Sequence, residues 1–170
     1  MKINGYTLKA VKMMDTPDGI SYSGNIYYDG KKIGMAYNDG RGGMTDVDLH
    51  PDYRDHYSVL DEDFVERLFT LNDYEKMFKD NQKKHPNTGL AFVMYTDYCD
   101  LGTIRFGGNV TMDEIKGHAE KTKPGWAIES IELFRSPDDF IIDQDHQPEI
   151  YRADDSEETE DQGMTGMEGM

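Results

Sequence analysis

Three residues that can bind a metal alternate along one segment of this sequence. Asp46, Asp48 and His50 are each two positions apart, so on a β-strand their side chains would share one face. Carboxylate oxygens and an imidazole nitrogen are suitable ligands for a divalent cation. The spacing therefore allows a metal-dependent hydrolase. The alternative, which we favour because the chain is rich in aspartate, is a solvated polar face that leads into a loop.

Nucleophilic catalysis has little support in the sequence. The single cysteine, Cys99, lies between Asp97 and Asp100, and neighbouring carboxylates disfavour the thiolate that attacks substrates. No Gly-x-Ser-x-Gly stretch, which would present a serine on a strand-to-helix turn, occurs. We therefore expect a protein that is not an enzyme and that uses no cofactor.

Two short segments, residues 52–57 and 95–100, interleave aspartate with tyrosine. Tyrosine is common at interfaces because it offers a large area at little entropic cost, and a neighbouring carboxylate can pair with Arg or Lys of a partner. Ordinary solvated charge at strand ends is the alternative interpretation. The predicted partner-binding residues are Asp46, Asp48, Asp52, Tyr53, Asp55, Tyr57, Asp61, Glu62, Asp63, Tyr95, Asp97, Tyr98 and Asp100.

The net charge excludes several kinds of partner. The chain carries 34 acidic and 18 basic side chains, a formal net charge of −16. A surface this negative repels nucleic-acid phosphates and anionic lipid. Residues 143–170 alone hold ten acidic side chains and one basic side chain. Because so polar a segment cannot offset the entropy of ordering, we predict one domain over residues 1–142 and a disordered acidic tail over 143–170.

The sequence also predicts a location. Its N-terminal residues lack the apolar run of a secretory signal, and no stretch reaches the roughly 18 apolar residues of a membrane span. One cysteine cannot form an internal disulfide, which is typical of a reducing compartment. We therefore expect a cytoplasmic protein that makes no membrane contact.

The first fifty residues, which include Asp46, Asp48 and His50, are predicted to form strands of a sheet. Turn-forming clusters at residues 15–19, 29–30 and 38–43 predict a four-strand meander. An S-x-x-D capping pattern at Ser58 and a second capping pattern at Thr70 predict two short helices, or one kinked helix, over about residues 61–84.

The second half of the chain predicts further strands and a helix. Residues 90–98 form an apolar run typical of a buried strand, with a short partner strand at 103–106. A capping box at Thr111 opens a helix, and residues 126–134 form a last strand that 140–142 extend. The predicted fold is α+β: a mainly antiparallel sheet, made of the meander and two or three later strands, with two or three helices on one face.

This chain is short, acidic and rich in Asp, Glu and Tyr, and its predicted meander carries DGKKIG and NDGRGG turns. In these respects it resembles a type of small protein. Phages and mobile elements use such proteins against host defence, above all as anti-CRISPR and anti-restriction DNA mimics. The resemblance is one of type and assigns no individual residue.

The resemblance implies a non-enzymatic inhibitor in the cytoplasm of a bacterial host cell. Its partner would be a basic nucleic-acid-binding protein, such as a CRISPR effector nuclease or a restriction enzyme. Carboxylates would pair with the Lys and Arg that hold phosphates and so block the nucleic-acid channel, without direct binding of nucleic acid. An acidic adaptor with no nuclease target, or the metal-dependent hydrolase above, are the alternatives.

Overall fold

The computed structural model describes residues 1–97 and 100–153. These residues form an α+β fold of mostly antiparallel strands, which confirms the predicted class. The strands are β1 (Lys2–Ile3), β2 (Tyr6–Thr16), β3 (Gly19–Tyr28), β4 (Lys31–Asn38), β5 (Asp46–Leu49), β6 (Thr88–Tyr95), β7 (Asp100–Gly107), β8 (Ile128–Phe134), β9 (Ile141–Ile142) and β10 (Glu149–Arg152). The helices are α1 (Glu62–Lys84) and α2 (Met112–Thr122), with 3-10 helices at Pro51–Ser58 and Pro137–Phe140.

The chain divides into two compact units, whereas the sequence predicts one domain over residues 1–142. The first unit comprises Met1–Met77 and Pro137–Gln147, and the second comprises Phe78–Ser136 and the described residues from Pro148 onward. Each unit is built on its own sheet rather than on one shared sheet. Within the predicted tail, Glu149–Arg152 form β10, and residues 154–170 lie outside the described part of the chain.

The first unit contains a six-stranded sheet in the order β5-β4-β3-β2-β1-β9. The predicted four-strand meander is confirmed as β2 to β5, with each neighbouring pair antiparallel. At the β3–β4 turn, Asp29 and Gly30 have φ values of 49° and 79°, the left-handed pair that a tight hairpin turn requires. The prediction that residues 140–142 extend the last strand is wrong, because β9 pairs in parallel with β1.

One face of this sheet, which we call the inner face, packs against the start of α1. The Phe64 ring lies 5.4 Å from Tyr6, and the Phe69 ring lies 4.5 Å from Tyr22 (centroid distances). Of the two predicted alternatives over about residues 61–84, two short helices or one helix, the structure has one helix of 23 residues. Its first turn is capped by Asp61, whose Oδ1 accepts a hydrogen bond of 2.9 Å from the Phe64 N–H, so the predicted cap at Ser58 is wrong. Ser58 instead ends the preceding 3-10 helix.

The second unit contains a four-stranded sheet in the order β10-β8-β6-β7. The predicted helix start at Thr111 is confirmed, since the Thr111 hydroxyl accepts a hydrogen bond from the Glu114 N–H at the start of α2. Ile115 and Ala119 of this helix are buried in a core with Val93 of β6. Among the described residues, no helix is long and apolar enough to cross a membrane.

Gly34 allows β5 to lie against β4. A Cβ atom at this position would lie 2.2 Å from the Asp48 carbonyl oxygen and 2.9 Å from the Leu49 Cα. Backbone atoms cannot yield as a flexible side chain can, so only glycine permits this approach. The placement of every acidic residue on β5 depends on it.

Replacing Gly34 by alanine should therefore loosen the β4–β5 pair. We expect Gly34→Ala to lower the free energy of unfolding by about 1–3 kcal/mol, the usual cost of overpacking. Denaturant titration followed by circular dichroism measures the change. Gly43→Ala is the matched control, because nothing lies within 4 Å of its new Cβ, and it should change stability by less than about 0.5 kcal/mol. Equal effects of the two variants would contradict this role of Gly34.

Candidate functional site

The predicted partner-binding residues are distributed over both compact units. Those from Asp46 to Asp63 belong to the first unit, and those from Tyr95 to Asp100 belong to the second. Tyr98 lies outside the described residues.

In the second unit, Tyr95 is not a surface residue. Its side chain is 2 % exposed, and its hydroxyl donates a hydrogen bond of 3.1 Å to the carbonyl oxygen of Ala119. The alternation of β6 places Tyr95 on the same face as Ala91 and Val93, which pack against α2. Burial raises the pKa of the Tyr95 phenol. The prediction that Tyr95 contacts a partner is wrong.

Asp97 and Asp100 connect the ends of β6 and β7 to the segment before β8. The Asp97 carboxylate accepts a hydrogen bond of 3.3 Å from the Ala127 N–H. Asp100 forms an ion pair with Lys123, whose ammonium lies 4.3 Å from the centroid of the Trp126 ring. Both carboxylates therefore have partners within the second unit, and these contacts explain the two aspartates without a binding partner.

In the first unit, the acidic residues separate into two groups. Asp46 and Asp48 are exposed on β5, where Asp46 lies opposite Tyr37 and Asp48 lies opposite Met35 of β4. Val47 and Leu49 alternate with them on the inner side, so Asp46 and Asp48 are on the opposite, outer face of the sheet. A hydrogen bond to Asp46, and then the charge of that carboxylate, raise the pKa of Tyr37.

The second group forms what we call the acidic rim: the exposed side chains of Asp52, Asp55, Asp61 and Asp63. Asp52 and Asp55 lie on the 3-10 helix Pro51–Ser58, and Asp61 and Asp63 lie at the start of α1. Asp46 and Asp48 lie on β5, whereas the rim residues lie on the 3-10 helix and at the start of α1.

The 3-10 helix that carries part of the rim is held by two tyrosines of the sheet. The Oη of Tyr6 and the Nδ1 of His56 share a hydrogen bond of 2.5 Å, and the Tyr28 ring lies 4.7 Å from the His56 ring. The Tyr53 ring lies 5.9 Å from the same imidazole. His56 is thus the point at which the helix is attached to the inner face.

Two further side chains on the predicted site are anchors. The Oη of Tyr57 accepts a hydrogen bond of 3.0 Å from the backbone N–H of Leu49, at the end of β5. Oε1 of Glu62 accepts a hydrogen bond of 3.0 Å from the backbone N–H of Thr45, before β5. Tyr57 and Glu62 therefore fix the backbone on which the exposed carboxylates stand.

The sequence alone does not predict that Tyr6 and Tyr28 anchor His56. Both residues are far from His56 along the chain, and no local pattern connects them. Only the register of β2 and β3, which places Tyr6 opposite Tyr28, brings the two rings to one point.

The proposed metal ligands do not converge. Asp46 and Asp48 lie on the outer face, while the Nδ1 of His50 accepts a hydrogen bond of 3.2 Å from the Asp52 N–H. Over residues 1–97 and 100–153, no group of three or more His, Cys, Asp or Glu side chains could hold a metal ion. The geometry therefore gives no support to a metal-dependent hydrolase based on these three residues.

No protein-family model, curated protein or solved structure matches this chain.

The raised pKa of the Tyr6 phenol predicts a specific pH dependence of stability. Burial, and second the neighbouring Tyr28, raise the pKa of Tyr6 above its ordinary value of 10.0. As pH rises, the Tyr6 phenol loses its proton in the unfolded chain before it does so in the folded protein. The contribution of Tyr6 to the free energy of unfolding is therefore complete below pH 10 and is lost as pH rises through the pKa of Tyr6 in the folded protein.

Tyr6→Phe should cost about 1 kcal/mol near pH 8, because the hydrogen bond to His56 is lost. The difference in unfolding free energy between the native chain and this variant should then narrow as pH rises above 10. Denaturant titrations of both proteins at several pH values measure this difference. A difference that stays constant to pH 11 would contradict the assignment.

Proposed function

We propose that this protein is a non-enzymatic inhibitor that binds a basic nucleic-acid-processing nuclease through the acidic rim. The supporting observation is that four exposed carboxylates stand on a backbone segment that is held in place by the hydrogen bonds that Tyr6, Tyr57 and Glu62 form. The rim occupies the nucleic-acid channel of a CRISPR effector or a restriction enzyme. It acts in the cytoplasm of the bacterial cell and needs no cofactor.

The strength of such binding depends on rigidity. An exposed ion pair contributes only about 0.2–1 kcal/mol, partly because two long side chains must be ordered to make it. Carboxylates on a segment that is already fixed avoid the cost of ordering a loop on binding. Several pairs made together can then add up to a stable complex.

The choice of a nuclease follows from charge. A nucleic-acid channel presents Lys and Arg that normally contact phosphates, and these cations are the strongest partners for carboxylates. The resemblance in type to anti-CRISPR and anti-restriction proteins supports the same target class. Binding and inhibition are then one event, because the rim and the nucleic acid compete for the same cations.

Binding should be strongly dependent on salt. We would immobilise the full chain and measure its affinity for a panel of CRISPR effectors and restriction enzymes by biolayer interferometry. We expect at least one nuclease to bind, with an affinity that falls as ionic strength rises, because salt screens exposed pairs beyond about 10 Å at 0.1 M. Duplex DNA should compete with the immobilised chain for the nuclease and so release the nuclease from it.

Two double variants test whether the rim is the contact. Asp52→Asn/Asp55→Asn should weaken binding about tenfold, the effect of losing roughly 1.4 kcal/mol. Asp15→Asn/Asp18→Asn removes the same charge from the β2–β3 hairpin and should bind like the native chain. Equal weakening by both variants would indicate a general charge effect. Binding to no nuclease, or binding that salt does not change, would contradict the proposal.

A further inference from the structure

Two rows of residues on the outer face of the first sheet each run from a negative charge to a positive charge. Because residues opposite each other in neighbouring strands share a face, the register defines two rows across four strands. The rows are Asp46–Tyr37–Ser23–Lys12 and Asp48–Met35–Asn25–Lys9. Each row begins with an aspartate on the edge strand β5 and ends with a lysine on β2.

A β-bulge places both lysines on this face. Lys9 and Lys12 are three positions apart, so a regular strand would direct them to opposite faces. The register between β2 and β3 shifts between these two residues, and Ala10 within the bulge has a φ of 54°. This left-handed conformation is unfavourable for alanine. The chain therefore contains a strained residue whose effect is to align the two lysines.

The contacts of neighbouring residues confirm which face Lys9 takes. Its ammonium lies 4.4 Å from the centroid of the Tyr27 ring. The next residue, Tyr28, packs against Tyr6 and His56 on the inner face, so Tyr27 is on the outer face. Lys9 and Tyr27 thus share the outer face with the two aspartates.

The middle of the two rows is less polar than their ends. Met35 is 41 % exposed and Tyr37 is 45 % exposed. Methionine and tyrosine are enriched at protein interfaces relative to the rest of the surface. Exposed Met and Tyr side chains between the charged ends of the two rows have the composition of a contact surface.

We propose that the outer face binds a second copy of this chain, face to face, to form a two-fold dimer. A two-fold axis parallel to the strands places β5 of one copy over β2 of its partner. Each row then meets the same row reversed, so Asp46 faces Lys12 and Asp48 faces Lys9, twice in the dimer. Such mutual pairing is what a two-fold interface requires, and packed sheets are commonly aligned in this way.

The gradient favours a second copy over other partners. A chain with a net charge of −16 repels its own copies unless opposite charges are brought together. A nucleic acid would meet the aspartates of β5, and an acidic partner would do the same. Only a surface with the reversed gradient pairs the aspartates with positive charge and the lysines with negative charge. The outer face of a second copy is such a surface.

The dimer leaves the acidic rim accessible. Asp52 and Asp55 lie on the 3-10 helix that His56 attaches to the inner face. Each dimer would thus present two rims.

Charge-swap variants test this arrangement by sedimentation velocity of the full chain at low salt. The native chain should form dimers in the micromolar range. Asp46→Lys/Asp48→Lys gives a face with lysine at both edges, and Lys9→Asp/Lys12→Asp gives a face with aspartate at both edges. Each variant alone should be monomeric, and an equal mixture of the two should form a heterodimer.

Asp15→Lys/Asp18→Lys is the control, since these residues lie at the β2–β3 hairpin end and outside both rows; it should remain a dimer. A native chain that stays monomeric throughout this range would overturn the proposal. A dimer that persists in the Asp46→Lys/Asp48→Lys variant would also overturn it. The same holds for a mixture of the two charge-swap variants that stays monomeric while both variants retain the native circular dichroism spectrum.

Cross-linking gives an independent readout. Within one copy, β5 and β2 are three strand spacings apart, about 14 Å, which is too far for a zero-length link between their side chains. A carbodiimide link between Asp46 and Lys12 in the native chain must therefore join two copies. We expect this link in the dimer band, and its absence from a dimer would show that another surface forms the contact.

Discussion

The antiparallel register from β2 to β5 is the constraint on which the surfaces of the first unit depend. Side chains alternate between the two faces of a strand, so a shift of one residue would exchange the faces of every residue on it. The register places Asp46 and Asp48 on the outer face, and it places Tyr6 opposite Tyr28 where both rings meet His56. Gly34 preserves this register at the β4–β5 pair by allowing β5 to approach β4.

The two acidic groups of this unit have different physical roles. Asp46 and Asp48 lie on an edge strand, where exposed charges also prevent uncontrolled pairing with other strands. The rim carboxylates lie on helices that the inner face anchors. Net charge alone could not distinguish these groups, since every carboxylate adds the same single negative charge to the total of −16. The distinction comes from the face that each backbone segment presents.

Local features of the sequence predicted the fold better than they predicted the site. The meander and the cap at Thr111 follow from turn and capping residues that act over a few positions. The burial of Tyr95 requires knowing which face of β6 meets α2, and the pairing of β9 with β1 joins residues at distant points of the chain. The bulge at Ala10 has no sequence pattern either, because alanine rarely adopts a positive φ.

The central claim is that the acidic rim, positioned by Tyr6, Tyr57 and Glu62, is the surface that contacts a nuclease. Hydrogen–deuterium exchange of the full chain, alone and with a nuclease that it inhibits, tests this claim most directly. The account predicts that the nuclease slows exchange over residues 51–63. Slower exchange confined to residues 78–136, with residues 51–63 unchanged, would contradict it.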